Sequence, residues 1–284
     1  MVRGYLKTAS LLWMRALGVP TLEGIVINDW SDASARAVQR FAKEHGVSQL
    51  LLRIDKRHER WTRRRGGYLI PISQAGNTAI ALREEGFISL LLEPASPLAD
   101  EYSMAASTIP DQSKLIVEIV GPGFDASDVL RSDISAHERW EFAIDPATNL
   151  TTSEPGRRLS VVNAEDYHVS VEERLAKIGA RLENPAFPDE AKSQKDQLIA
   201  AAADFLKASN QTALLDCKEY EQIPLKYLHA FKANIDQIFL GLNRNGIQLG
   251  VSSFAASVIA RNRLVFWDFF PAAREEAALL YPAA

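Results

Sequence analysis

The residues best suited to chemistry crowd around one stretch of the chain. From Arg53 to Gly67 it reads RIDKRHERWTRRRGG, with six cations, Lys56, Arg57, Arg60, Arg63, Arg64 and Arg65, in ten positions. Gly66-Gly67 closes the run, and a backbone without Cβ atoms can approach an anion closely. Arg53 precedes the run inside an apolar segment, where its fork would be held rigidly against phosphate oxygens. Three chemistries suit the stretch: a loop that covers phosphates, a solvated charged hairpin tip, or a single-stranded nucleic-acid patch in which Trp61 stacks among arginines. Its acidic surroundings and the chain's net charge of −4 place the nucleic-acid reading last.

Other reactive residue types are scattered. His45, His168 and His229 have no Cys or carboxylate at metal-ligand spacing. Cys217 has no adjacent base and reads as a small buried hydrophobe. Gly121-Pro122-Gly123 lacks the third glycine of a dinucleotide fingerprint, and Ser252-Ser253 lacks the nucleophile elbow of the α/β-hydrolases. The tetrapeptide His-Glu-Arg-Trp occurs twice, at 58–61 and 137–140, in unrelated surroundings, which reads as coincidence.

The elements that must position Arg53 follow from apolar spacing. Tyr5 to Leu17 is helical and stops at Gly18, with Pro20 beyond. Residues 23–28 read as a strand, and Ser31 or Asp32 caps a helix that ends at Gly46. Residues 49–54 and 68–72 are strands, 77–85 a helix closed by Gly86, and 87–93 another apolar strand. This alternation reads as an α/β lobe. The segment PASPLAD (94–100) reads as a hinge, so the expected lobes are 1–93 and 94–284. In the second lobe, 101–109 and 114–120 should pair antiparallel, with a weaker strand at 139–144. Helical patterns follow at 164–182, 190–207 and 225–242, and two strands, 248–260 and 263–269, turn at Arg261-Asn262.

The ordered set Gly18-Val19-Pro20, Arg53, Gly66-Gly67, Glu93 and Asp268 resembles the ATP-grasp superfamily. Order and spacing agree over residues 6–120, and the final helix with two strands is similar to the family's C-terminal end. The resemblance implies an α+β fold of two α/β lobes with ATP between them. It also implies ligase chemistry, in which a carboxylate is activated as an acyl phosphate and attacked by an amine or similar nucleophile, or else a phosphotransferase. On this reading Arg53 contacts the phosphates and, with Arg131, serves catalysis. Lys7, Arg65, Gly66 and Gly67 join the phosphate site, and Glu93, Glu101 and Tyr102 lie at the adenine and ribose end. Asp268 holds magnesium, with Glu118 or Glu141 as the second carboxylate.

Two departures matter. Phe270 stands where the family carries an asparagine, which opens the alternative of a degenerate nucleotide-binding regulatory module. Only about twenty residues precede Gly18-Val19-Pro20, so specificity for a small carboxylate substrate would come from the C-terminal lobe or a partner chain. The polar segment 121–139, with Arg131 and His137, is the expected substrate-facing loop. Arg53→Ala should abolish nucleotide binding and spare the fold, and the loop at 56–65 should become ordered when a triphosphate offsets its charge.

Composition bounds the rest. At 284 residues and 47% hydrophobic the chain can bury one large core or two lobes. A single cysteine suits a reducing, cytoplasmic setting. No apolar run approaches the roughly 20 residues of a membrane helix, and Arg15 interrupts the apolar stretch at the N-terminus, which argues against a signal peptide.

Overall fold

The computed structural model describes residues 6–56, 68–93, 101–108, 113–121, 124, 135–152, 156–161, 168–169, 218–246, 252–259 and 262–271. Helix α1 (Leu6–Ala16) ends where Gly18 adopts φ +77°, and the Val19 N–H donates back to the Met14 carbonyl at 2.9 Å. Glycine takes this left-handed conformation without a Cβ penalty. The turn delivers Pro20 to the second half of the molecule, where its carbonyl accepts from the Phe266 N–H at 2.8 Å. Arg15 secures the exit: its guanidinium donates to the Thr21 hydroxyl at 2.9 Å and to the Leu22 carbonyl.

Strand β1 (Gly24–Ile27), helix α2 (Asp32–His45), strands β2 (Gln49–Lys56) and β3 (Tyr68–Pro71), helix α3 (Ala75–Glu84) and strand β4 (Phe87–Leu92) follow in the expected order. Ser31 caps α2 by accepting from the Ser34 N–H, and Gly46 closes it. The strands form a sheet of order β1-β4-β2-β3, paired antiparallel throughout. The helix-strand alternation thus does not make a parallel sheet, because β4 runs back between β1 and β2. One face of this sheet (Leu50, Leu52, Ile54, Leu91) packs on Val38 and Phe41 of α2 and on Ala79 and Leu82 of α3. Gly76 gives α3 room beside Trp30, since a Cβ there would lie 2.7 Å from the indole.

Strands β5 (Tyr102–Thr108), β6 (Lys114–Val120), β7 (Glu138–Asp145), β8 (Leu150–Thr151), β9 (Arg157–Val161), β12 (Ser252–Ile259) and β13 (Arg263–Pro271) form the second sheet, in the order β13-β12-β5-β6-β7-β8 with β9 also on β7. Helix α4 (Leu225–Arg244) covers one face of it. Leu228, Phe231, Ile235, Ile238, Phe239 and Leu242 recur at helical spacing, and Phe231 stacks on Phe266 at 5.1 Å. Burying each such side chain contributes roughly 1.5–3 kcal/mol. The opposite face, at its β12–β13 edge, meets the first sheet through Leu11, Leu22, Leu51, Leu90, Leu92, Ile259 and Val265. The helices expected at 164–182 and 190–207 lie almost wholly outside the described residues. His168–Val169 is an exception: it forms β10, which pairs with β11 (Lys218–Glu219), so a strand replaces helix at these two residues. The alternating sequence around Val169 suits extended pairing better than a helical stripe.

A carboxylate pins β7 to the segment entering α4. Glu138 is 1% exposed and accepts from Trp140 Nε1 at 2.7 Å, from the Tyr220 hydroxyl at 2.7 Å and from the Ile223 N–H at 3.1 Å. Glu138→Ala is expected to lower the unfolding free energy by about 3 kcal/mol, because the donors lose their shared acceptor. Glu138→Gln should cost less, and urea unfolding of the three proteins measures the difference.

Candidate functional site

Alternation along β2 turns Arg53 and Asp55 away from the α2–α3 core, toward α1 and β13. Arg53 is 6% exposed, yet its charge is fully met. Its Nη2 donates to both carboxylate oxygens of Asp268, each at 2.8 Å, and its Nη1 donates to the Trp267 carbonyl at 2.7 Å. The guanidinium carbon lies 5.8 Å from the centre of the Trp267 ring. The indole is itself tethered: Trp267 Nε1 donates to Ser257 Oγ at 2.8 Å, and Ser257 Oγ lies 3.1 Å from Ser103 Oγ.

A register shift aims both of these acceptors at Arg53. Ala255 pairs with Asp268 and Ala256 with Phe266, which leaves Trp267 as an extra residue on β13. Such a bulge breaks the strict two-residue alternation. Phe266 and Phe269 therefore both enter the core under α4, while Asp268 and the Trp267 carbonyl between them reach Arg53.

Helix α1 supplies the third wall. The Thr8 N–H, in its first turn, donates to Asp55 Oδ2 at 3.0 Å, so a carboxylate from β2 caps the helix and meets the positive end of its dipole. Ser10 Oγ donates to the Phe269 carbonyl at 3.0 Å and accepts from the Phe269 N–H at 3.1 Å, which locks α1 to β13. Lys7 is thereby placed beside the ion pair. Burial pushes its ammonium pKa down, opposed by Asp268, reinforced by Arg53 and opposed by Asp55. Burial raises the Asp55 carboxyl, opposed by the Thr8 N–H and by the charges of Lys7 and Arg53. Two cations and two carboxylates, from α1, β2 and β13, thus share a poorly hydrated junction between the sheets.

The other expected site residues divide. Glu93 is a clamp: Oε1 accepts from the Glu23 N–H at 3.0 Å and Oε2 pairs with Arg263 at 3.0 Å. The Glu101 N–H donates to the Val258 carbonyl at 2.8 Å, placing Glu101 at the entrance to β5. Tyr102 corrects the sequence reading. Its ring packs in the core under α4 and its hydroxyl donates to the Gln222 carbonyl at 3.3 Å, on the face of the sheet opposite Asp268. Ser103, its neighbour, is the residue that alternation turns toward the site.

Glu118 shares a sheet face with Asp268 but is not brought to it. The cross-strand row runs Asp268, Ala255, Ala105, Glu118, so three strand spacings, about 14 Å of backbone, separate the two. Glu118 pairs instead with Arg139 at 3.6 Å, and Glu141 with Lys114 at 3.2 Å and Arg157 at 3.3 Å. Among the described residues no group of three or more His, Cys, Asp or Glu is spaced to hold a metal ion. His137 Nδ1 accepts from the Gly121 N–H at 3.0 Å while its ring packs on Phe124 and Tyr220. Arg65, Gly66, Gly67 and Arg131 lie outside the described residues, as does nearly all of the basic loop. Asp55 and Trp267 were not singled out in the sequence, although the two-residue spacing of Arg53 and Asp55 places both on one strand face.

No protein-family model matches the chain, and no curated protein does. Some solved structures are similar to this chain. One is D-alanyl-alanine synthetase A from Vibrio cholerae, at 10% identity and TM-score 0.45, covering 94% of this chain and 55% of that one. Another is the macrocyclase MdnC bound with precursor peptide MdnA from Microcystis aeruginosa, at 10% identity and TM-score 0.39, covering 94% and 52%. A third is the ATP-grasp ligase PsnB complexed with a minimal precursor, at 11% identity and TM-score 0.36, covering 95% and 52%. The chain spans about half the length of these structures. No described helix is long and apolar enough to cross a membrane.

Because Arg53 bridges two sheets, Arg53→Ala is not expected to spare the fold. It leaves Asp268, only 16% exposed at the side chain, without its partner, and should cost about 3 kcal/mol in denaturant unfolding. A second expectation concerns pH. Lys7 has a folded-state pKa below its unfolded value near 10.5, so above the folded value the unfolded chain binds the extra proton and stability rises with pH. That gain is complete above about 10.5 and is lost as pH falls through the lowered folded pKa. Lys7→Met should remove this slope, which unfolding free energies measured between pH 7 and pH 10.5 will show.

Proposed function

We propose that this chain is an ATP-grasp-like protein that binds ATP at the junction of α1, β2 and β13. We propose further that it acts as an ATP-dependent ligase, transferring the γ-phosphoryl group to a small carboxylate. One observation carries the reading. Arg53 and Asp268, which the family resemblance marks separately as phosphate contact and metal ligand, lie within 2.8 Å of each other although 215 residues apart in sequence. The donor set suits the ligands. Lys7 and the Arg53 fork, at the positive end of α1, match phosphate oxygens. Asp268 and Asp55 are hard oxygen donors of the kind magnesium takes alongside phosphate and water. Magnesium bound there would neutralise charge developing on the transferred group.

The chain's own contribution is positioning and electrostatics. Trp267 and the Ser257–Ser103 tether fix the direction of Arg53, Asp55 fixes α1 and with it Lys7, and the apolar packing around Leu11, Leu51 and Val265 keeps water from the cations. The reading takes residues 1–93 and 94–284 as the two lobes, with segment 121–139, including Arg131, or a partner chain, setting the substrate. A second reading is a regulatory nucleotide-binding module without catalysis. Its specific support is that Arg53 and Asp268 satisfy one another while Glu118 is held away.

ATP with magnesium is expected to raise the melting temperature, since a ligand of the folded state stabilises it by mass action. Lys7→Ala and Arg53→Lys should each shrink the shift at matched ligand concentration. ADP release that requires both magnesium and an added carboxylate pool would support the ligase, and a thermal shift without such release would support the regulatory module. No thermal shift with ATP would defeat both.

A further inference from the structure

We infer that His137 is an acid-sensitive clasp, which ties the end of β6 to the start of β7 while its imidazole is neutral and releases them when it is protonated. The inference stands apart from the nucleotide reading. Gly121 directly follows β6 and His137 directly precedes β7, so residues 122–136 leave and rejoin the sheet here. The His137 N–H donates to the Ile119 carbonyl at 2.9 Å, which fixes its backbone on β6. Its Nδ1 accepts from the Gly121 N–H at 3.0 Å. A backbone N–H can only donate, so Nδ1 carries no proton in this arrangement and the neutral ring holds its hydrogen on Nε2.

Protonation sets a second N–H, on Nδ1, against that of Gly121. Donor then faces donor, and the bond is lost unless the ring or the amide turns away. The surroundings favour the exchange. The ring packs on Phe124 at 5.1 Å and on Tyr220 at 5.3 Å, and Tyr220 stays a neutral phenol because its hydroxyl donates to Glu138. Tyr102 of β5 meets the edge of Tyr220, and its hydroxyl pKa is pushed up by burial and by Glu221, Glu101, Glu138 and Tyr227, so three carboxylates surround this aromatic cluster. Strand β11 brings Lys218 and Glu219 just ahead of Tyr220. The cations of the flanking strands are engaged elsewhere: Arg139 pairs with Glu118 at 3.6 Å and Arg158 donates to the Gln222 side chain at 2.5 Å. Two arrangements therefore compete, a neutral ring on the Gly121 amide and a charged ring drawn by carboxylates. The clasped form binds one proton fewer, so falling pH favours release, over the range of about pH 8 to pH 5 in which histidine changes charge.

The experiment is two-dimensional NMR of the isotope-labelled full chain, titrated from about pH 8 to about pH 5. At the alkaline end the ring nitrogens of His137 are expected to report an unprotonated Nδ1 and a protonated Nε2. As the ring titrates, the Gly121 amide should shift with the same midpoint. Its hydrogen-exchange protection, corrected for the intrinsic rate, should fall about tenfold, the equivalent of one net hydrogen bond. His137→Asn places Oδ1 where Nδ1 stood, an acceptor that does not titrate in this range, so the Gly121 amide of that variant should stay protected throughout. If the variant does not fold, the wild-type titration decides alone. A proton on Nδ1 at the alkaline end, a Gly121 amide that stays put while His137 titrates, or an amide that moves equally in the folded Asn variant would overturn the inference. None of these outcomes bears on ATP binding.

Discussion

A guanidinium taken out of water has to be met by acceptors, and this molecule is arranged around one such requirement. Arg53 rises from the middle of the first sheet, opposite Leu90 on β4, and points toward β13. On its own strand Asp55 supplies an attractive charge two residues away. Its acceptors come from β13, the last strand of the second sheet, 214 and 215 residues later in the chain. An unpaired charge at that depth would cost several kcal/mol, so the pair binds the two sheets to one relative placement. Ser10 on Phe269 and Pro20 on Phe266 hold the same strand from either end of the α1 turn.

Each sheet must then be two-faced. The first carries a core under α2 and α3 and the second a core under α4, and the faces left over press on each other. The bulge at Trp267 is what lets β13 serve both obligations. A strand in strict alternation could not send Phe266 and Phe269 to the same side while giving Asp268 to the other. The local disorder of the ladder thus gives the site its acceptors without removing aromatic packing from the core.

Much of this was legible in the sequence, because helix ends and apolar strands declare themselves locally. Ser31, Gly18, Gly46 and Gly86 mark their boundaries through chemistry confined to a few residues. Arg53 and Asp268 stood out because a charge in an apolar run has few structural excuses. What did not read through is face and distance. Tyr102 and Ser103 differ by one position, and only the register with β12 decides which of them faces Asp268. Glu118 seemed a partner for Asp268 because strand order is invisible locally, and two intervening strands keep them apart. Asp55 stands in sequence between Arg53 and a basic run, and only the fold makes it the cap of a helix 47 residues earlier.

Trp267 gives the site an optical property. The sequence has five tryptophans, and this indole has a guanidinium set against its ring and its Nε1 hydrogen-bonded to a serine that is 3% exposed. Indole emission responds to the electric field across the ring. Any event that drew Arg53 away, or replaced Asp268 as its counter-ion, would change that field without a single atom of label being introduced. The junction therefore carries its own chromophore, and its electrostatic state is one contribution to the emission of the unmodified chain.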